Sequence, residues 1–190
     1  MNVSYKYSEK LSILLTVKEK LAGLIWSADQ PPIDKDQIAL YYKAPTSSDL
    51  KKPFICLTIE NKDWTNLNAC VEEIGEDFDI YRDGELSGTL KFKIYANDPI
   101  QREMVEAAIR REFSDYSGKG TPTLFLKNNL YINNREYEIK FVLKRFIDND
   151  SSQNAVNNIY EGIVEADIQF PILRIRSTIF MTPEYDLTVL

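Results

Sequence analysis

The sequence predicts an α+β domain: a mostly antiparallel β-sheet with helices packed on one face. Three stretches carry that expectation. Residues 98–113 combine helical spacing with several agreeing start signals. Residues 78–95 alternate as a hairpin does, and residues 160–170 alternate over a longer run. The helix therefore falls between a hairpin and later antiparallel strands. A length of 190 residues suits one domain, read here as 1–190 with a polar loop at 148–158 and a C-terminal arm at 182–190.

The elements follow in chain order. Leu11, Leu14, Leu15, Leu21, Ala22 and Ile25 recur at helical spacing, so an amphipathic helix is expected from a Ser8 cap toward Ile25. It should stop at Gly23 or Trp26, before Pro31-Pro32. Ile38 to Tyr42 suits a short strand, Pro45 to Asp49 a loop, and Phe54 to Ile59 a buried strand. Asn61 to Ile74 is ambiguous, because Leu67, Val71 and Ile74 have helical spacing and Gly75 would end a helix. Phe78 to Tyr81 alternates, Arg82-Asp83-Gly84-Glu85 offers a turn, and Thr89 to Tyr95 alternates strictly. In that last stretch Leu90, Phe92 and Ile94 share one face, and Lys91 and Lys93 the other.

Asp98 is a good helix cap, Pro99 suits the first helical position, and Gln101 stands where a capping box needs it. Ile100, Met104, Val105, Ala108, Ile109 and Phe113 draw an apolar stripe. Arg102, Glu103, Glu106 and Arg110 are expected on the solvent face. Further strands are expected at 123–126, 130–132 and 137–144. Tyr160, Gly162, Val164, Ala166, Ile168 and Phe170 then occupy every second position, with Ile163 the exception on the polar face. Pro171 points to an edge or an end there, because proline cannot donate to a ladder. Another β segment is expected over Ile172 to Met181.

Composition excludes more chemistry than it suggests. The chain has no histidine, which removes Ser-His-Asp and Cys-His catalysis, imidazole metal ligands and an imidazole pH switch. Its net charge of −6 argues against general or sequence-specific nucleic-acid binding, which needs clustered cations. Lys140, Lys144 and Arg145 could form a local basic patch or simply a solvated strand face. Cys56 sits in the apolar run 54–57 as a buried thiol would, and two cysteines without C-x-x-C spacing fit a reducing cytosol. The apolar run 11–17 is too short to span a bilayer, so no membrane partner is expected.

No cofactor motif survives inspection. Ser117-Gly118-Lys119-Gly120-Thr121 lacks the upstream glycine and the following hydroxyl of a phosphate loop. Asp148 and Asp150 start like a calcium loop, but Ser151-Ser152-Gln153 does not continue it. Glu138-Ile139-Lys140 on a strand has the E-x-K form of magnesium-dependent nucleases, in which the carboxylate holds the metal and the lysine aids the attacking water. Its companion aspartate is missing between Asp115 and Glu138. An assembly role needs none of these groups. Tyr160, Phe170, Tyr185, Leu187 and Leu190, on the long strand and the C-terminal arm, are the candidate partner-binding residues.

The order from Gly88 to Arg176 resembles the tail-terminator and neck (head-tail joining) proteins of long-tailed bacteriophages. The matching elements are the strand 88–96, then Asn97-Asp98-Pro99, the helix 100–111, and the strand 160–172 with its aromatic-x-Gly start. In that family such a strand leads into a helix over the sheet, and a late strand closes the domain. The resemblance implies a non-enzymatic virion protein, assembled in the bacterial host cytoplasm and without a cofactor. It would form a homo-oligomeric ring, typically of six subunits, between the tail tube protein and the neck or connector protein. Segments 27–82 and 114–158 are long for a minimal member, and the tail after Arg176 has no counterpart in the pattern. A head-tail adaptor, a baseplate protein and the magnesium-dependent nuclease are the alternatives.

Overall fold

A computed structural model describes residues 9–41, 51–74, 78–114, 123–128, 137–149 and 159–177. Helix α1 spans Glu9–Leu21 and is followed by a short 3₁₀ turn at Lys35–Gln37. The strands are β1 (Ile38–Leu40), β2 (Phe54–Ile74) and β3 (Phe78–Ala96). Helix α2 (Pro99–Glu112) precedes β4 (Thr123–Asn128), β5 (Tyr137–Asn149) and β6 (Tyr160–Ser177). They form one six-stranded sheet in the order β1-β2-β3-β6-β5-β4. Only β1–β2 is parallel, and every other neighbouring pair is antiparallel. The fold class is therefore α+β, as the sequence predicts.

One face of the sheet makes the main core. Leu90, Phe92 and Ile94 of β3 and Val164, Ala166, Ile168 and Phe170 of β6 are buried there, which confirms both alternations. Both helices cover this face. Ile13, Leu14, Val17 and Leu21 of α1 and Val105, Ala108 and Ile109 of α2 belong to the same apolar cluster. Phe113, at the end of α2, packs its ring 5.5 Å from Phe92 and 5.1 Å from Phe141. Helix α1 touches β1 and β2 on one side of the strand order and β4 at the other edge, so the sheet curls around it. It ends where predicted: Gly23 takes φ +85°, and its N–H donates to the Ile33 carbonyl at 2.8 Å.

The start of α2 also follows its sequence. The Asp98 carboxylate accepts from the Gln101 N–H at 2.7 Å, and the Gln101 side chain accepts from the Asn97 N–H at 2.8 Å. Its buried face differs from expectation. Arg102 and Glu106, expected in solvent, are buried, whereas Ile100 is 70 % exposed. The helix is rotated so that Arg102 and Glu106 stand over Gly162 of β6, where the missing side chain leaves them room.

One open strand reading is settled and two are corrected. Residues 61–74, with Leu67, Val71 and Ile74, continue β2 rather than forming a helix, because the ladder with β3 runs on to Ile74↔Asp79. Residues 82–85 are not a turn: β3 runs straight through them. Gly84 pairs with Asn66 on one side and Ile172 on the other, and the turn-like residues are spent on an irregularity between Arg82 and Gly84. The hairpin reversal instead falls between Ile74 and Phe78. Strand β6 is central, not an edge, and continues past Pro171 to Ser177. Its last pair with β5 is Gln169, so Pro171 lies where only β3 still flanks it. The loop at 45–49, the strand at 130–132, most of the polar loop at 148–158 and the arm at 182–190 lie outside the described residues.

Candidate functional site

Strand alternation gives the sheet a second face, on which neither helix belongs to the core cluster. It starts with a small apolar patch of Phe54, Cys56 and Tyr95, the two rings 6.5 Å apart. The Cys56 thiol is fully buried, as expected, and donates to the Tyr41 carbonyl at 2.8 Å. Beyond this patch the face becomes charged. Glu60 of β2, Lys91 of β3, Glu165 of β6 and Arg145 of β5 form a row across four strands. Lys91 Nζ stands 2.5 Å from Glu60 and 3.6 Å from Glu165, and Arg145 Nε stands 2.5 Å from Glu165. Lys144 adds a pair with Asp167 at 2.6 Å. Ile163, the break in the polar alternation of β6, pairs with Ile147 of β5 on this same face.

Glu165 is the centre of the row and is 6 % exposed. The Arg145 hydrogen bond holds its carboxyl below the usual carboxylate range, and Lys91 adds to that against the cost of burial. Lys91 is raised above the ordinary lysine value, first by its hydrogen bond to Glu60. Sequence alternation placed Lys91 and Glu165 on polar faces but did not place Glu60 or Arg145, the latter set by a register shift after Leu143. It could not show that β6 separates β3 from β5, which is what brings the four together.

The same face holds a depression of ≈ 350 Å³. Lys140, Asp167, Asp63, Ser87, Thr89 and Gln169 are among its lining residues. Glu138 lies on β5 two residues before Lys140, with its backbone opposite Lys127 of β4. Asp167, which also lines the depression, stands opposite Val142 of β5, four residues along the strand from Glu138. Among the described residues, no group of three or more His, Cys, Asp or Glu side chains could hold a metal ion.

Two further features lie away from this face. At the far end of the β2–β3 hairpin, Val71 is 50 % and Ile74 80 % exposed. On the helical side, a groove of ≈ 310 Å³ lies between the C-terminal ends of α1 and α2, where Lys20, Arg111 and Glu112 line it together with Ala22, Leu24, Ile25 and Ala108. Of the predicted partner-binding residues, Tyr160 is half-buried at the start of β6. Phe170 is 1 % exposed and belongs to the core, so its place as a surface anchor is corrected: it points to the helical face, which is filled. Tyr185, Leu187 and Leu190 lie outside the described residues.

No family model matches the chain, and no curated protein matches it. Among the described residues, no helix is long and apolar enough to cross a membrane.

Proposed function

We propose that this chain is a structural assembly subunit, a ring-forming tail terminator that joins a phage tail tube to the neck or connector. One observation carries the reading: the elements behind the resemblance pack as one unit. Strand β3 leads through the Asp98 cap into α2, and α2 lies against β3 and β6. The aromatic-x-Gly start of β6, Tyr160 to Gly162, is the place where α2 settles, because Gly162 admits Arg102 and Glu106. That is the strand, overlying helix and closing strand of the resemblance, in contact. The exposed Val71 and Ile74 and the groove between the helix ends add surfaces suited to protein contacts.

The test is stoichiometry in particles. Purified phage particles from the source, banded on a density gradient, are quantified by mass spectrometry against a known tail protein. About six copies per particle, the number a single closed ring supplies, is the expected result. Complete absence from the particles overturns the reading.

A second reading is a magnesium-dependent nuclease using Glu138 and Lys140, of which Lys140 lines the depression together with Asp167 and Asp63. Replacing Glu138 and Lys140 together abolishes magnesium-dependent cleavage under this reading and leaves assembly untouched under the first.

A further inference from the structure

We propose that the depression on the second sheet face binds a short zwitterionic peptide, two or three residues long, with its ammonium end at Asp63 and its carboxylate end at Lys140. The site goes beyond both readings above, since it needs neither a ring nor a metal ion.

One register row carries the proposal. Asp63 of β2 pairs with Ser87 of β3, Ser87 with Gln169 of β6, and Gln169 with Lys140 of β5. Residues paired directly across strands share a face, so a carboxylate, a hydroxyl, an amide and an ammonium stand in line across four strands. All four residues line the depression. Its two ends carry opposite charges, and among the described residues neither Asp63 nor Lys140 makes an ion pair. The neighbouring row is different. There Glu60 contacts Lys91 at 2.5 Å and Asp167 contacts Lys144 at 2.6 Å, so both carboxylates are already answered. Asp63 and Lys140 are the charges the depression has left to offer. The floor between them is low, because Ser87 and Thr89 are short. Ile168 sends its side chain into the core and meets the depression with its backbone, as Gly88 does.

The row also fixes the chemistry of the ligand. A lone anion would meet Lys140 but also the carboxylates of Asp63 and Asp167, and a lone cation would be repelled by Lys140. A molecule with one charge of each sign, held apart, satisfies both ends. The span sets its length. Three strand spacings of about 4.8 Å put the Cα atoms of Asp63 and Lys140 roughly 14 Å apart. An extended dipeptide or tripeptide covers about 7–11 Å at roughly 3.5 Å per residue and fits between the two charges, whereas a single amino acid is too short. Between the ends, the Gln169 amide has a donor and an acceptor, which is what one peptide group needs. The Ser87 hydroxyl donates to the Asp63 carbonyl at 3.5 Å and keeps lone pairs for a ligand N–H. The volume of ≈ 350 Å³ is at the small end of ligand sites, as a peptide of this length requires.

The experiment titrates the full chain with trialanine, N-acetyl-trialanine, trialanine amide and glycine by isothermal titration calorimetry, and locates binding by amide chemical-shift changes in NMR spectra. Trialanine is expected to bind saturably and to move the amides of Ser87, Thr89, Gln169 and Lys140. Each blocked peptide lacks one charge and should bind about tenfold more weakly or worse, the worth of one hydrogen bond to a charged group. Glycine cannot bridge the two ends and should bind as weakly as the blocked forms. Two variants assign the ends. Asp63→Asn should bind trialanine and its acetylated form equally, and Lys140→Gln should bind trialanine and its amide equally. Both positions are exposed, so both variants should keep the wild-type melting temperature. The blocked peptides test the same point on the unaltered chain. Absence of saturable binding, equal binding of free and blocked peptides, or shift changes confined to residues outside the depression overturns the proposal. None of these outcomes touches the copy number in particles, so the ring reading stands or falls separately.

Discussion

Gly162 shows how one residue sets the orientation of a helix. A Cβ there would overlap Glu106 Oε1 and stand 2.9 Å from Arg102 Cδ. Gly162→Ala must push α2 outward or displace the buried pair, and should cost about 1–3 kcal/mol by overpacking. Urea unfolding of the variant checks this, and an unchanged midpoint would show that the two side chains move aside freely. Glu165 makes a prediction in pH. Its carboxyl is held below the ordinary 4.5, first by Arg145, so the unfolded chain binds that proton more tightly than the folded one. The stability it contributes is complete above that ordinary value and declines as pH falls through the folded one. Lys91, raised above the ordinary 10.5 first by Glu60, contributes stability that is complete below 10.5 and is lost as pH rises through its folded value. Glu165→Gln should cost about 1–2 kcal/mol at pH 7, less than a sealed ion pair because Arg145 is open to water. It should also flatten the acid limb of stability against pH. An acid limb identical to wild type would remove Glu165 from the cause of acid unfolding.

At the scale of elements, the helix signals were local and were therefore legible. The Asp98 cap, Pro99 and the Gly23 stop each act within a few residues, and each appears where the sequence puts it. Asp98→Ala should cost about 1 kcal/mol by leaving the first-turn N–H groups to water, and thermal melting checks it. Loss of stability well beyond that would mean that Asp98 also holds the β3–α2 corner. The strand readings went astray where long-range pairing decides the outcome. Asn61 to Ile74 carries helical spacing, yet a partner strand offers it a full ladder, and that tertiary pairing overrides the local pattern. Gly84 looked like a turn residue because sequence cannot distinguish a reversal from a strand irregularity. The Glu60–Lys91–Glu165–Arg145 row was half legible: alternation shows the face, but strand order decides which charges meet. The rotation of α2 was not legible, because it depends on Gly162, about sixty residues away along the chain.

At the scale of the molecule, α1 makes the sheet one cooperative body. It touches β1 and β2 as well as β4, so loosening it loosens both ends of the strand order. Leu14 is fully buried in that helix, and Leu14→Ala should cost about 2–5 kcal/mol. The transitions followed by fluorescence and by far-UV circular dichroism should shift together; separate transitions would split the body in two. The C-terminal arm is expected to behave oppositely. Among the described residues the buried apolar core runs from Ile13 to Leu173. Tyr185, Leu187 and Leu190 nevertheless place three large apolar side chains in that arm. In the ring subunit proposed above, such side chains would serve as anchors for a partner. Deleting residues 182–190 should therefore leave the melting temperature unchanged and weaken assembly, read by sedimentation at fixed concentration. A lower melting temperature with assembly intact would place these residues in the fold of the subunit rather than at its contacts.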